Sequence, residues 1–166
     1  DRFQTGNKAN IRGGNIIGDD VSIGTLSVVE HHVKIGNGVR LHSQVFVPEY
    51  CKLEDEVWIG PNVVLTNARY PNTQDAKDRL EGVHIEKCAR IGANSTVLPG
   101  VRIGRYCLVG AGSVVVKNTV PHGIYLGNPA VRKGWVCGCG HPLGKDMVCP
   151  ECGSGHLYDD GILKLI

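Results

Sequence analysis

An aliphatic side chain returns at every sixth position along most of this chain: Ile11, Ile17, Ile23, Val29, Ile35, Leu41, Val47, Leu53, Ile59 and Leu65, then, after a gap, Ile85, Ile91, Val97, Ile103, Val109 and Val115. An α-helix repeats at 3.6 residues and a strand at two, so neither requires this period. Four residues after each member stands a small or β-branched residue, among them Val21, Val33, Val39, Ser95, Val101 and Ser113. Each hexad therefore offers two inward positions. Glycine often follows the aliphatic residue directly, as at Gly18, Gly24, Gly36, Gly60, Gly92, Gly104 and Gly110, as a chain turning sharply would want for positive φ or for close backbone approach. A hexad is then a short strand plus a corner. Strands this short bury an apolar face only by coiling and stacking, rung above rung at about 4.8 Å. The period predicts an all-β chain folded as a parallel β-helix, with an ordinary β-sandwich of coincidental spacing as the alternative.

At this point the sequence resembles the hexapeptide-repeat acyltransferases, whose hexad reads [LIV]-G-x-x-[small/V]-x. The resemblance implies a left-handed triangular prism with three hexads per coil, and hence that residues 18 apart stack. A first face then carries Ile11, Val29, Val47 and Leu65, a second Ile17, Ile35 and Leu53, and a third Ile23, Leu41 and Ile59. From Leu65 to Ile85 the chain spends 20 residues where six would suffice. The segment at about 67–84 is expected to leave the prism as an extruded loop, with the coil resuming on the next face.

The same register stacks Gly92 on Gly110, Ala93 on Ala111 and Ser95 on Ser113. In the family, a small-residue strip of this kind lets the pantetheine arm of acetyl-CoA lie against exposed backbone. GNPAVRK, residues 127–133, resembles the family's GNPA-basic segment, and Asn128, Lys117, Arg132 and Lys133 are the expected further contacts for the cofactor, the cations suiting its phosphates. A second column, two positions past the aliphatic residue on the first face, holds His31, Glu49, Asn67, Pro99 and Lys117. LTNARYP resembles the TND-x-x-P segment of nucleotide-linked amino-sugar N-acetyltransferases, with Ala68 in place of the Asp. The resemblance implies that Glu49, Asn67 and Tyr70 bind the acceptor sugar and that Asn67, His31 and His42 are the candidate catalytic residues. A neutral amine needs little activation, whereas a hydroxyl acceptor needs a positioned base. Direct amine attack is the favoured reading, with an O-acetyltransferase using a histidine base as the alternative.

Seven cysteines are an odd number, and four crowd the end of the chain. Cys137 and Cys139, then Cys149 and Cys152, form two close pairs that suit a tetrahedral, structural Zn²⁺ site better than a secreted disulfide framework. The division expected is a β-helix over 1–133 and a small zinc-ribbon-like tail over 134–166. Cys51, Cys88 and Cys107 read as packing residues. The order of coil, TN-x-x-x-P loop, GNPA, GW-x-C-x-C-G, C-P-x-C-G and terminal YDDGILKLI is similar to the UDP-2-acetamido-3-amino-2,3-dideoxyglucuronate N-acetyltransferases and their dTDP-amino-sugar relatives, which are homotrimers with sites between neighbouring prisms. A formal charge of +2 gives no reason to expect a nucleic acid polymer as partner, and no apolar run approaches the roughly 18 residues of a membrane span. A cytoplasmic protein is expected. Two other readings share the fold: a non-catalytic scaffold, and a γ-class carbonic anhydrase, whose H-x-x-x-x-H spacing does not occur here.

Overall fold

The computed structural model describes residues 2–159 and 162–166; the Asp160–Gly161 step of YDDGILKLI lies outside them. Two-residue strands stack in parallel into three sheets, one per face of a prism. The first face is Asn10–Ile11, Val28–Val29, Phe46–Val47, Val64–Leu65, Thr96–Val97 and Val114–Val115. Ile16–Ile17, Lys34–Ile35, Lys52–Leu53, His84–Ile85 and Arg102–Ile103 make the second. The third runs from Gln4–Thr5 through Ser22–Ile23, Arg40–Leu41, Trp58–Ile59, Arg90–Ile91 and Leu108–Val109 to Gly123–Leu126. Ile23 pairs with Leu41 and Ile17 with Ile35, the 18-residue register the hexads require. Across the loop Ile59 pairs with Ile91, 32 residues on, so the loop absorbs 32 − 18 = 14 residues without shifting the stack.

Both inward positions of each hexad are filled as expected. Ile23, Val29, Ile59, Leu65, Ile91 and Val109 are fully buried on the strands, and Val21, Val33, Val39, Ser95 and Ser113 fill the corners. Among the described residues no helix is long and apolar enough to cross a membrane.

Of the two reasons for the glycines, close approach holds and positive φ does not. Positive φ falls three residues after the aliphatic position, on Asp20, Leu26, His32, Gln44, Tyr50, Glu56, Asn62 and Asn94 as well as on Gly38, Gly100 and Gly112. The glycines that follow the aliphatic residue serve close approach instead. A Cβ at Gly24 would fall 2.5 Å from Ser43 N, and one at Gly92 would fall 2.8 Å from Ala111 Cα, both backbone atoms of the next coil. Most of these left-handed corner residues donate to a carbonyl of the preceding coil, as Gln44 N–H does to Thr25 O at 2.8 Å and Gly112 N–H to Ala93 O at 2.8 Å, which offsets a conformation costing a non-glycine residue about 1 kcal/mol.

The loop leaves and returns at one corner. Glu81 N–H donates to Asn67 O at 2.8 Å and Gly100 N–H to Glu81 O at 2.9 Å, while the Arg69 guanidinium reaches Pro99 O at 3.2 Å. One 3-10 turn, Ala76–Arg79, is its regular structure. The coil then resumes on the second face with His84–Ile85, as the sequence requires. After Val115 the stack is closed by Gly123–Leu126, parallel to its neighbour, and by Val131–Trp135, which turns antiparallel on it. An antiparallel last strand removes the edge on which another coil would build. The division at 133/134 runs through this strand.

Candidate active site and metal centre

The corner between the third and first faces carries the small-residue strip. Gly24, His42, Gly60, Gly92 and Gly110 share one hexad position there, with Thr25, Ser43, Pro61, Ala93 and Ala111 beside them. Beneath the strip Ser27 Oγ donates to His42 O at 2.8 Å and Ser95 Oγ to Gly110 O at 3.1 Å, so the buried hydroxyls occupy carbonyls on the inner side. On the outer side the N–H groups of Ala93 and Ala111 donate to no acceptor among the described residues. The contrast with the second–third corner is direct. There Asn37 Oδ1 accepts from Asp19 N–H at 2.8 Å, Asp55 Oδ1 from Asn37 N–H at 2.9 Å, and Glu86 Oε2 from Arg105 N–H at 2.8 Å. Side chains cap the equivalent amides at that corner, and alanine leaves them open at this one. His42 is exposed, two coils before Gly92, and meets the Trp58 ring edge-on at 4.8 Å. Trp58 was not singled out from sequence; its hexad position is the outward one next to Ile59, which periodicity does not mark.

His31, Glu49 and Asn67 rise as a column, as the register requires, on the first–second corner. Asn67 Nδ2 donates to Glu49 O at 3.3 Å, and its Oδ1 accepts from no donor among the described residues. His31 Nδ1 lies 3.0 Å from Gly13 O. A carbonyl only accepts, so this contact puts a proton on Nδ1, and in the neutral ring the lone pair is then on Nε2. Tyr70 stands exposed on the loop three residues beyond Asn67, and its carbonyl accepts from Thr73 Oγ1 at 3.1 Å.

Within one chain these two groups do not meet. The strip and His42 occupy one corner, the column and loop the next, and the first face separates them. That face is uncharged on its outer side, with Val28, Phe46, Val64, Thr96 and Val114, whereas the second face presents Lys34, Lys52, His84 and Arg102. Lys117 is exposed at the column's corner above Pro99, a face away from Ala93 and Ala111. Asn128 is exposed in the turn that caps the strip, where Gly127 N–H donates to Ser113 Oγ at 3.2 Å and Val114 N–H to Gly127 O at 3.0 Å. Arg132 follows on the last strand, its guanidinium 4.3 Å from the Trp135 ring and 5.6 Å from the Tyr158 ring. Stacking on aromatic faces leaves the donor edge of the guanidinium outward. Lys133 is exposed beside it. The tail residue Tyr158 thus buttresses a cation at the end of the strip, a contact that hexad spacing had no means to reveal.

In the tail, Gly140 and Gly153, both at positive φ, close the turns after each cysteine pair. The four sulfurs lie within 4.8 Å of one another, with Cys137–Cys152 at 3.6 Å and Cys139–Cys149 at 3.5 Å. A tetrahedral thiolate site with bonds of about 2.3 Å has edges of about 3.8 Å, and a disulfide needs about 2.05 Å. The four side chains fit a metal ion. Burial pushes Cys137 up to about 12, while the Ser154 hydroxyl 3.3 Å away draws Cys152 down to about 6. His141 Nδ1 stands 3.6 Å from Cys139 Sγ, outside the set. Cys51 and Cys107 are packing residues, as expected, with burial raising each thiol to about 12.

The description Bacterial transferase hexapeptide (six repeats) matches residues 16–49 and 82–117. The dTDP-3-amino-3,6-dideoxy-alpha-D-galactopyranose 3-N-acetyltransferase of Aneurinibacillus thermoaerophilus is 43% identical over 83 residues, which are 48% of this chain and 43% of that protein. The chain therefore spans less than half the length of that curated relative. A histidine-to-alanine variant of GDP-perosamine N-acetyltransferase from Caulobacter crescentus, solved in complex with CoA and GDP-perosamine, superposes with a TM-score of 0.66 at 25% identity, over 76% of this chain and 53% of that one. A variant of AntD, an N-acyltransferase from Bacillus cereus solved with dTDP and coenzyme A, shares the fold with a TM-score of 0.70 at 22% identity, over 80% and 83% of the two chains. By its six-residue period, its stacked triangular coils and these likenesses, the chain carries the bacterial transferase hexapeptide repeat over residues 16–49 and 82–117.

Proposed function

We propose that this protein transfers acetyl from acetyl-CoA to the amino group of a nucleotide-linked amino sugar. The open amides of Ala93 and Ala111 carry the reading. An extended pantetheine arm brings two amides of its own, and a strip without side chains lets them exchange hydrogen bonds with the coil. Asn128, Arg132 and Lys133, at the end of the strip, suit the phosphate end of the molecule. The names of the A. thermoaerophilus relative and the C. crescentus neighbour, with its CoA and GDP-perosamine, support both substrate classes. A homotrimer completes the site: copies packed along the uncharged first face bring the strip corner of one chain towards the column corner of the next. That arrangement also gives Lys117 a place near the nucleotide or cofactor of the neighbouring chain. The cysteine tail holds one structural Zn²⁺, and seven unpaired thiols fit a reducing, cytoplasmic setting.

In the reaction the neutral amine attacks the thioester carbonyl carbon, the C–S bond breaks, and the proton lost by nitrogen is returned to the departing thiolate. Asn67 Oδ1 accepts an N–H of the amine and aims its lone pair, Glu49 and Tyr70 hold the sugar, and backbone N–H groups polarise the carbonyl. One observation favours a second reading. Neutral His31, with its lone pair on Nε2, has the tautomer of a general base, which serves a hydroxyl acceptor or an amine that arrives protonated.

His31→Ala, His42→Ala and Asn67→Ala distinguish the two when kcat/KM is measured across pH with one accepted sugar. If placement dominates, each loses about 10²-fold or less, because the nucleophile remains competent. A loss of about 10²–10⁴-fold confined to His31, with the acidic limb of the profile gone, establishes base catalysis instead.

A further inference from the structure

Among the described residues one buried side-chain nitrogen or oxygen lacks a hydrogen-bond partner: Nη1 of Arg90. Arg90 lies on the strand Arg90–Ile91 of the third face, pointing outward, two residues before Gly92 and three before Ala93. Its guanidinium is pressed against Gly140, the residue after Cys139, in the turn closed by Gly140 N–H to Cys137 O at 2.9 Å. Gly140 has φ +101, and a Cβ added there would overlap Nη1 and fall 2.7 Å from Cζ. The turn is shaped to receive the guanidinium.

A buried guanidinium nitrogen without an acceptor is unfavourable unless charge nearby compensates it. The turn offers no carboxylate at the contact. Four thiolates around a divalent ion carry a net charge of 4 × (−1) + 2 = −2, and Gly140 directly follows one of the four cysteines, Cys139. We infer that Arg90 is the counter-cation of the tail's metal centre, and that it pins the loaded tail to the coil that carries Gly92 and Ala93. It is a positioning residue: it touches no substrate and acts by holding the thiolate centre's charge against the prism. The inference rests on the zinc reading above and extends it, since it gives an otherwise orphaned buried nitrogen a purpose.

The test uses the full chain purified with zinc. Arg90→Met keeps the reach and loses the charge, Arg90→Gln keeps polarity without charge, and Arg90→Lys keeps the charge. Zinc per chain is measured by elemental analysis, metal affinity by competition with a chromophoric chelator, and folding of the coil by circular dichroism. Partners of metal ligands contribute about 10–100-fold in affinity. Met and Gln are expected to weaken zinc by that factor with the coil signal unchanged, and Lys to restore most of it. If Arg90→Gln, or a folded Arg90→Met, holds zinc as tightly as the unaltered protein, the guanidinium only packs and the inference is overturned. Unaltered protein that carries no zinc and binds none overturns the metal reading itself, a different result from zinc retained in all variants.

Discussion

Tryptophan at Ala111 should abolish coenzyme A binding. Ala111 is exposed at its corner, so the fold accepts the larger side chain, but an indole there covers the open amide and fills the path along the strip. Each lost hydrogen bond weakens binding by about 0.5–1.5 kcal/mol, and the steric block adds to that, so titration calorimetry should register at least about 10²-fold weaker binding. Ala93→Trp should behave alike. Lys87→Trp is the control: it alters the equivalent hexad position on the second–third corner, where Glu54 Oε2 already accepts from Lys87 N–H at 3.1 Å, and it should leave affinity unchanged. Equal losses in all three variants would mean that the strip is not where the cofactor lies.

The second large effect concerns stability. Gly24→Ala puts a methyl group 2.5 Å from Ser43 N and into the backbone of His42. Backbone on a stacked rung cannot step aside as a flexible side chain does, so coils must separate and the rungs above and below loosen with them. We expect a cost of about 3 kcal/mol, read as a lower midpoint in denaturant with little change in slope. Gly13→Ala, with nothing within 4 Å of the added Cβ, should be close to neutral. A neutral Gly24→Ala would contradict the close-approach explanation of the glycines and return them to the turn chemistry that their φ angles do not support.

These two outcomes bear on what could be read from the chain alone. Inward positions repeat because every hexad must bury the same two side chains, so Ile23, Leu41 and Ile59, or Val21 and Val39, declare the faces, the register and the loop at 67–84. The columns followed from the same arithmetic. His31, Glu49 and Asn67 stack because they are 18 apart, and Lys117 belongs to their corner by the same count, although its charge invited a place near the cofactor strip. Corner residues such as Leu26 and Gln44 gave no sign of positive φ, because the penalty is offset by rungs to other coils and leaves no compositional trace. Contacts made once are equally silent. Arg132 against Tyr158 and Arg90 against Gly140 join segments with no shared period, and Trp58 meets His42 on one pair of rungs alone; periodicity reports only what repeats.

The central claim is that the open corner presents acetyl-CoA to a sugar amine, and acetyl transfer itself tests it most directly. The purified chain is incubated with acetyl-CoA and a panel of UDP-, dTDP- and GDP-linked amino sugars, with thiol release and product mass followed together. The account predicts that one or more of them consumes acetyl-CoA, releasing one free thiol for each sugar that gains an acetyl group on nitrogen, and that Ala111→Trp abolishes the reaction. Coenzyme A binding without acetylation of any amino sugar, but with acetyl found on a hydroxyl, would transfer the account to base-assisted O-acetylation. No binding of coenzyme A at millimolar concentration would contradict the claim outright and leave the β-helix as a scaffold.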